Sequence, residues 1–218
     1  MGILYSKHII KSRYSKTASV FESLFDEVDF EHIQYSSPQD YIAQYWDKYL
    51  STGKHSNTIN GNFFEMVIHT LLYREGLIPF YAQAKVAFVP NVKFDTILYT
   101  PARPISLSLK TSLRERYKQA DLEAIALQHV HRRAESYLLT LDPNEAELCK
   151  AKIKDGGIIG LNKIIDCSTS DIDNLIAELH QIKSELAEAL SIKPADSRLD
   201  RHCPSLRGEA SLRQVSLG

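Results

Sequence analysis

Two neighbouring stretches decide the fold: residues 92–99 read VKFDTILY, and residues 105–123 read ISLSLKTSLRERYKQADLE. In the first half of the second stretch, apolar residues at odd positions alternate with polar residues at even positions, which is typical of a strand with one face in a core. Together, the two stretches therefore predict two strands followed by a helix. Several charged residues interrupt elements that are otherwise apolar, and these are the candidates for chemistry.

The rest of the chain predicts helices before this block and alternating strands and helices after it. Further predicted helices cover 17–26, 37–50, 62–74, 113–132, a segment opened by Asp142-Pro143, and 170–192; further predicted strands cover 85–89, 136–141 and 164–167, with a turn at Pro90-Asn91 and a loop over 51–61. This order predicts an α/β (α+β) domain with a central mixed β-sheet flanked by helices.

We expect a single domain with three parts. Residues 1–58 form an N-terminal helical region of that domain, available for DNA or dimer contacts, and residues 59–193 form the core. After residue 193 the composition becomes Ser, Arg, Gly and Leu without any period, so 194–218 is predicted to be a mobile tail.

Composition excludes several classes of protein. The 218 residues carry 26 Lys plus Arg against 27 Asp plus Glu, a formal charge of −1, so bulk positive charge does not bind this chain to nucleic acid. A local patch remains possible, because 110–133 holds six basic and three acidic residues. The three cysteines lack the spacing of a zinc site and fit a reducing cytoplasm. No apolar run is long enough to span a bilayer, and we expect no membrane partner.

Four charged residues lie on elements whose pattern otherwise indicates a core: Asp95, Lys110, Glu65 and Glu123. Carboxylates near one lysine can hold Mg²⁺, which prefers oxygen ligands and binds substrate phosphate, and can orient a water molecule. Taken singly, each residue also has an ordinary interpretation, as an edge or surface charge. The pattern therefore indicates a phosphoryl-transfer site without proving one.

Arg114, Glu115 and Arg116 follow Lys110 at the start of the predicted helix. Arginine can bind guanine O6 and N7 in two-pronged fashion and glutamate can accept from cytosine N4, so this triplet has the chemistry of a G·C reader. However, Ser112 and Glu115 also have the S-x-x-E spacing of a capping box. On that alternative Glu115 only caps the helix, or Ser112 caps it alone.

These spacings together resemble a known family. Asp95 followed by Ser108-Leu109-Lys110 is similar to the PD-(D/E)xK nuclease core, except that Ser108 replaces the usual acid. In one branch of type II restriction endonucleases, the SsoII/PspGI/EcoRII-like branch, that acid lies on the following helix about thirteen residues after the lysine, where this chain has Glu123. The same branch has an Arg-(Asp/Glu)-Arg reader shortly after the lysine and a metal-associated Glu about thirty residues before the Asp, where Glu65 lies.

The resemblance implies a restriction-endonuclease-like core and a cytoplasmic, Mg²⁺-dependent homodimer that cuts double-stranded DNA at CCNGG, CCWGG or CCGG. It implies that Asp95 and Glu123 bind the metal, with Glu65 as an accessory ligand, and that Lys110 positions the attacking water. Arg114 and Arg116 would read guanines, and Glu115 would bridge cytosines. A cognate DNA methyltransferase is expected as a functional partner only.

Two other functions remain open at this point. A different PD-(D/E)xK nuclease would need Asp95 and Lys110 but not the Arg-Glu-Arg triplet. A non-catalytic DNA-binding module on a degenerate nuclease fold would explain Ser108 in place of the acid. The clustered aromatics Tyr45, Trp46 and Tyr49 offer a platform for a flipped base, but their helical spacing favours a place in the core.

Overall fold

The structure is a computed structural model of the chain. It describes residues 2–182 and 192–199, apart from 11, 13–14, 26–27, 54–55, 90 and 99–102.

Seven helices and six strands occupy the described residues. The helices are α1 (Ile3–Ser6), α2 (Lys16–Glu22), α3 (Pro38–Ser51), α4 (Asn57–Arg74), α5 (Arg116–Val130), α6 (Pro143–Lys154) and α7 (Asp171–Ile182); the strands are β1 (Phe80–Val86), β2 (Phe94–Leu98), β3 (Ile105–Lys110), β4 (Glu135–Thr140), β5 (Lys163–Asp166) and β6 (Ile192–Leu199).

The strands form one mixed sheet in the order β5-β4-β3-β2-β1-β6. Strands β1, β2 and β3 are antiparallel neighbours, whereas β3, β4 and β5 run parallel and are joined by the crossover helices α5 and α6. This arrangement confirms the predicted mixed sheet with flanking helices. It also brings the start of β2 beside the end of β3, because antiparallel neighbours run in opposite directions.

Helices cover both faces of the sheet. One face packs with α3, α4 and α7 in the main core, which includes Tyr41, Phe63, Leu107 and Ile176. The opposite face packs with α5 and α6 through a smaller apolar cluster around Leu138. Helices α4, α5, α6 and α7 contact the sheet directly, which holds the strand ends in fixed positions.

The N-terminal aromatics belong to the main core. Tyr45 and Tyr49 are buried, Tyr45 stacks on Phe21 at 4.5 Å between ring centroids, and Tyr49 stacks on Phe63 at 4.1 Å. Trp46 packs partly buried against the same cluster. The core interpretation of these three residues is confirmed, and the buried rings of Tyr45 and Tyr49 are not available to stack on a base.

Capping residues explain several helix boundaries. Ser37 accepts the Asp40 N–H at 3.2 Å and Pro38 begins α3, as predicted. Ser56 caps α4 in the same way, so that helix begins at Asn57. The predicted loop over 51–61 is therefore too long, because Ser56 within it caps a helix.

The last described residues of the chain form a strand. Residues 192–199 form β6, which pairs antiparallel with β1 along the sheet edge. Residues 194–199 of the predicted tail therefore belong to a strand, whose main chain forms hydrogen bonds with the edge strand β1. The helix expected to reach 192 is described only as far as Ile182, and residues 200–218 lie outside the described part of the chain.

Candidate active site

The antiparallel pairing of β2 and β3 brings Asp95 and Lys110 together. Thr96 pairs with Leu107, so Asp95 lies across from Ser108 at the end of the ladder. The Lys110 ammonium lies 2.6 Å from Asp95 Oδ2, which also accepts the Leu109 N–H at 2.9 Å. Both side chains are about 15% exposed. Two of the predicted catalytic residues thus form one partly desolvated ion pair.

Gln83 joins Glu65 to this pair. The Gln83 amide donates to Glu65 Oε2 at 3.0 Å and reaches Asp95 Oδ1 at 3.5 Å. Gln83 lies on β1 with φ +50, a conformation that is unusual for a residue other than glycine. Burial, reinforced by the negative charge of Asp95, raises the pKa of the Glu65 carboxyl to about 7. Sequence reasoning missed Gln83, since one polar residue in a strand carries no signal of its own.

Glu123 approaches the site from α5. It lines a small cleft with Asp95 and Ser108, and its carboxylate accepts a hydrogen bond from Gln119 at 2.7 Å. Burial raises the pKa of the Glu123 carboxyl, and Asp95 adds to that rise. Glu123 therefore feels the charge of Asp95, but it shares no hydrogen bond with Asp95 or Lys110 among the contacts described.

Ser108 lies at the position where the PD-(D/E)xK pattern has an acid. Its buried Oγ has no hydrogen-bond partner among the described residues, and it faces the same cleft as Asp95 and Glu123. A buried hydroxyl without a partner is uncommon in folded proteins. The cleft therefore has unused hydrogen-bonding capacity next to two carboxylates.

The donor set fits a hard cation, although not through three converging carboxylates. Among the described residues, no group of three or more His, Cys, Asp or Glu side chains is close enough to hold a metal ion. Mg²⁺ commonly binds through one or two carboxylates, with water and substrate phosphate as the remaining ligands. Asp95 and Glu123, which line the same cleft, are the carboxylates that could hold such a cation. Glu65 instead accepts a hydrogen bond from Gln83 and does not line this cleft.

His69 lies under the site, one helical turn after Glu65. The ring is buried, its Nε2 lies 2.8 Å from Thr96 Oγ1, and it stacks on Phe80. Burial lowers the pKa of His69 to about 4, so the ring is neutral at ordinary pH. It contacts Thr96, the residue next to Asp95, without adding charge to the site. The sequence pattern gave no sign of this contact.

The Arg-Glu-Arg triplet is exposed at the end of the sheet that carries Lys110. Leu113 is buried and anchors the segment, whereas Arg114, Glu115 and Arg116 face solvent. The predicted capping box is wrong: α5 begins at Arg116, and Glu115 makes no capping hydrogen bond. Its carboxylate instead forms an ion pair with Lys118.

Glu145 holds this segment from α6. Its carboxylate accepts the backbone N–H groups of both Leu113 and Arg114, the latter at 2.9 Å. Sequence reasoning missed Glu145, because its position three residues after the N-cap Asp142 would be interpreted as an ordinary first-turn acid.

Comparison with known proteins identifies the fold. No family model matches the chain, and no curated protein matches it in sequence. Among solved structures, the restriction endonuclease PspGI in complex with substrate DNA is similar at a TM-score of 0.53 and 17% identity, over 78% of this chain and 83% of that chain. The type IIP restriction endonuclease Kpn2I is similar at a TM-score of 0.48 and 12% identity, over 76% and 70%. The likeness to PspGI, together with the mixed sheet described above, shows that this chain has the restriction-endonuclease fold.

Proposed function

We propose that this chain is a sequence-specific, Mg²⁺-dependent endonuclease of double-stranded DNA, which acts as a homodimer on a CC:GG palindrome, with CCNGG or CCWGG favoured over CCGG. The single observation that carries the proposal is the position of the Asp95–Lys110 pair. It lies at the end of β3, and the exposed Arg114-Glu115-Arg116 segment follows four to six residues later in the chain. Phosphodiester hydrolysis and base recognition would then take place at the same end of the sheet.

Asp95 and Glu123 would hold Mg²⁺, with Glu65 acting as an accessory acid through Gln83. When bound, the cation would lower the pKa of a water molecule and neutralise charge on the phosphate. Lys110 supplies an ammonium at the same place, suited to donating a hydrogen bond to the attacking water or to a phosphate oxygen. The partly desolvated surroundings strengthen such hydrogen bonds relative to bulk water.

Arg114 and Arg116 would read guanines in the major groove, and Glu115 would accept from cytosine N4. Their exposure supports this role, because a base reader has to reach beyond the protein surface. In the free protein Glu115 is paired with Lys118, so Glu115 would exchange this exposed partner for a base on binding. Exposed ion pairs contribute little to stability, and the exchange should therefore be easy.

Double-stranded DNA is the proposed partner, and the fold shared with a protein solved on its substrate DNA supports this. A palindromic site matches a two-fold symmetric dimer, in which each subunit cuts one strand. A DNA methyltransferase of the same specificity would be needed in the cell to protect host DNA. No membrane partner is proposed, and no helix within the described residues has the length and apolar character to cross a bilayer.

A second candidate function is a DNA-binding module without catalysis. The observation that favours it is Ser108 in place of the usual acid, together with the lack of three converging carboxylates in the described residues. On this alternative the chain would bind DNA through the same basic segment and would hydrolyse nothing.

Cleavage of short duplexes separates these functions. Duplexes that contain CCNGG, CCWGG or CCGG, and permuted controls of equal composition, are incubated with pure protein and Mg²⁺. Cutting of one site class by wild type, with loss of cutting and retention of binding in Asp95→Asn and Lys110→Ala, supports the endonuclease. Binding without cutting, in Mn²⁺ as well, supports the module and overturns the proposal.

A further inference from the structure

The segment between β3 and α5 is held by a side chain from a distant part of the sequence. Both carboxylate oxygens of Glu145 are used: one accepts the Leu113 N–H and the other accepts the Arg114 N–H at 2.9 Å. The second of these two donors belongs to Arg114, the first residue of the Arg-Glu-Arg triplet. A carboxylate that accepts two consecutive backbone N–H groups fixes the direction of the chain at that point.

The segment needs such a partner. Arg114 has φ +37, in the left-handed region that a residue with a Cβ atom rarely adopts and that persists only where neighbouring groups hold it. Glu115, at the N-cap of α5, makes no capping hydrogen bond with its side chain. The conformation that presents Arg114 to solvent therefore depends on an acceptor from elsewhere.

Glu145 is itself held firmly. Its N–H donates to Asp142 Oδ1 at 3.0 Å, and the Asp142 N–H donates to Thr140 Oγ1 at 3.2 Å. Thr140 pairs with Lys110 in the parallel register of β3 and β4. These contacts run from the strand beside the catalytic lysine to the base-reading segment. They place Glu145 in a fixed position relative to both.

We propose that Glu145 is a positioning residue that sets the backbone of the Arg114-Glu115-Arg116 segment and thereby determines how sharply the protein discriminates among DNA sequences. The inference rests on the proposed function of that segment as a base reader. Glu145 touches neither a base nor the reacting phosphate in this account. Its effect should appear in discrimination and in the order of the segment, and not in the rate of hydrolysis on saturating cognate DNA.

Two measurements test this on the whole 218-residue chain. The first is amide hydrogen exchange over residues 113–116 in the absence of DNA. The second is the ratio of kcat/KM on the cognate duplex to kcat/KM on a duplex with one G·C pair changed. Glu145→Ala removes both acceptors, Glu145→Gln keeps one carbonyl oxygen, and Glu147→Gln is the matched control, because Glu147 lies on the same helix, is 72% exposed and pairs only with Lys150 among the contacts described.

We expect faster exchange at residues 113 and 114 in Glu145→Ala, together with a loss of discrimination of about tenfold or more. Glu145→Gln should have an exchange rate and a discrimination ratio between those of Glu145→Ala and wild type. Glu147→Gln should match wild type in both measurements. Unchanged exchange in Glu145→Ala, or equal loss on all duplexes with a constant ratio, would overturn the inference. If Glu145→Ala does not fold, Glu145→Gln decides by the same two criteria.

Failure of this inference is distinguishable from failure of the proposed function. If wild type cuts no duplex, or cuts all duplexes alike, the proposed function fails whatever Glu145 does. The exchange measurement needs no DNA and no activity. It therefore decides separately whether Glu145 holds the segment.

Discussion

The Lys110 ammonium lies 2.6 Å from Oδ2 of Asp95, and both side chains are about 15% exposed. The same oxygen accepts the Leu109 N–H at 2.9 Å. Asp95 therefore connects the start of β2 to the end of β3 through both a side-chain and a backbone hydrogen bond. The pair is partly desolvated, so removing one member leaves a charge that has lost its partner.

The first prediction concerns the energy of this pair. Asp95→Asn and Lys110→Met should each destabilise the protein, and the double variant should be less destabilised than the sum of the two. We expect a coupling of about 1–3 kcal/mol, because the pair is partly buried. Urea unfolding of the four proteins measures this coupling.

The exposed Lys118–Glu115 ion pair is the control for that cycle, because its side chains are 59% and 77% exposed. Its cycle should give a clearly smaller coupling, since solvent screens exposed charges. Equal couplings for the two pairs would contradict the burial argument.

A second prediction concerns acid stability. Burial lowers the pKa of His69 to about 4, from about 6.5 in an unfolded chain. Between these values the unfolded state binds more protons than the folded state, so stability should fall as the pH drops from about 6.5 towards 4. The contribution from this ring should approach roughly 3 kcal/mol.

His69→Gln tests this, because glutamine can still donate to Thr96 but does not titrate. We compare the free energy of unfolding of wild type and variant at several pH values. The difference between the two proteins should change across the window from pH 6.5 to pH 4. A difference that stays constant across this window would show that His69 does not carry the effect.

A third prediction concerns base reading. If Glu115 accepts from cytosine, Glu115→Gln should lower discrimination at the C·G pairs of the site by about tenfold or more. Lys118→Ala removes the partner of Glu115 in the free protein and should leave discrimination unchanged. Cleavage of matched and single-substituted duplexes measures both variants. A Glu115→Gln protein that retains wild-type discrimination would favour a nuclease whose sequence preference does not depend on this triplet.

A fourth prediction concerns the packing of α5, which carries Glu123. A Cβ atom at Gly160 would lie 2.5 Å from the Asp121 carbonyl oxygen and 2.7 Å from Ile125 Cγ1. Gly160→Ala should therefore cost about 2 kcal/mol or more. At Gly61, within α4, an added Cβ atom meets no atom within 4 Å. Gly61→Ala should stabilise the protein by about 0.5–1 kcal/mol, and thermal unfolding compares the two variants.

Strand β3 could be predicted because apolar and polar side chains alternate along 105–110. The pattern over 105–110 and the cap at Ser37 are both local signals, and both are confirmed. The proximity of Asp95 and Lys110 was predicted from spacings in a family resemblance, and antiparallel pairing of their strands explains it.

The features that escaped prediction depend on contacts between distant segments. Gln83 links Glu65 to Asp95, and Glu145 binds backbone groups 31 and 32 residues away. The S-x-x-E spacing at Ser112 predicted a capping box, but Glu145 takes two N–H groups there and α5 begins later. Strand β6 has a composition typical of an irregular segment, and it forms because β1 offers an unpaired edge.

The most direct test of the central claim is digestion of a fully sequenced plasmid with wild-type protein and Mg²⁺, followed by sequencing of every end. Lys110→Ala, prepared in parallel, controls for a contaminating nuclease. The account predicts discrete fragments whose ends all fall at CCNGG, CCWGG or CCGG sites, and no fragments with the variant. Ends distributed without regard to sequence, or an intact plasmid in both Mg²⁺ and Mn²⁺, would contradict it.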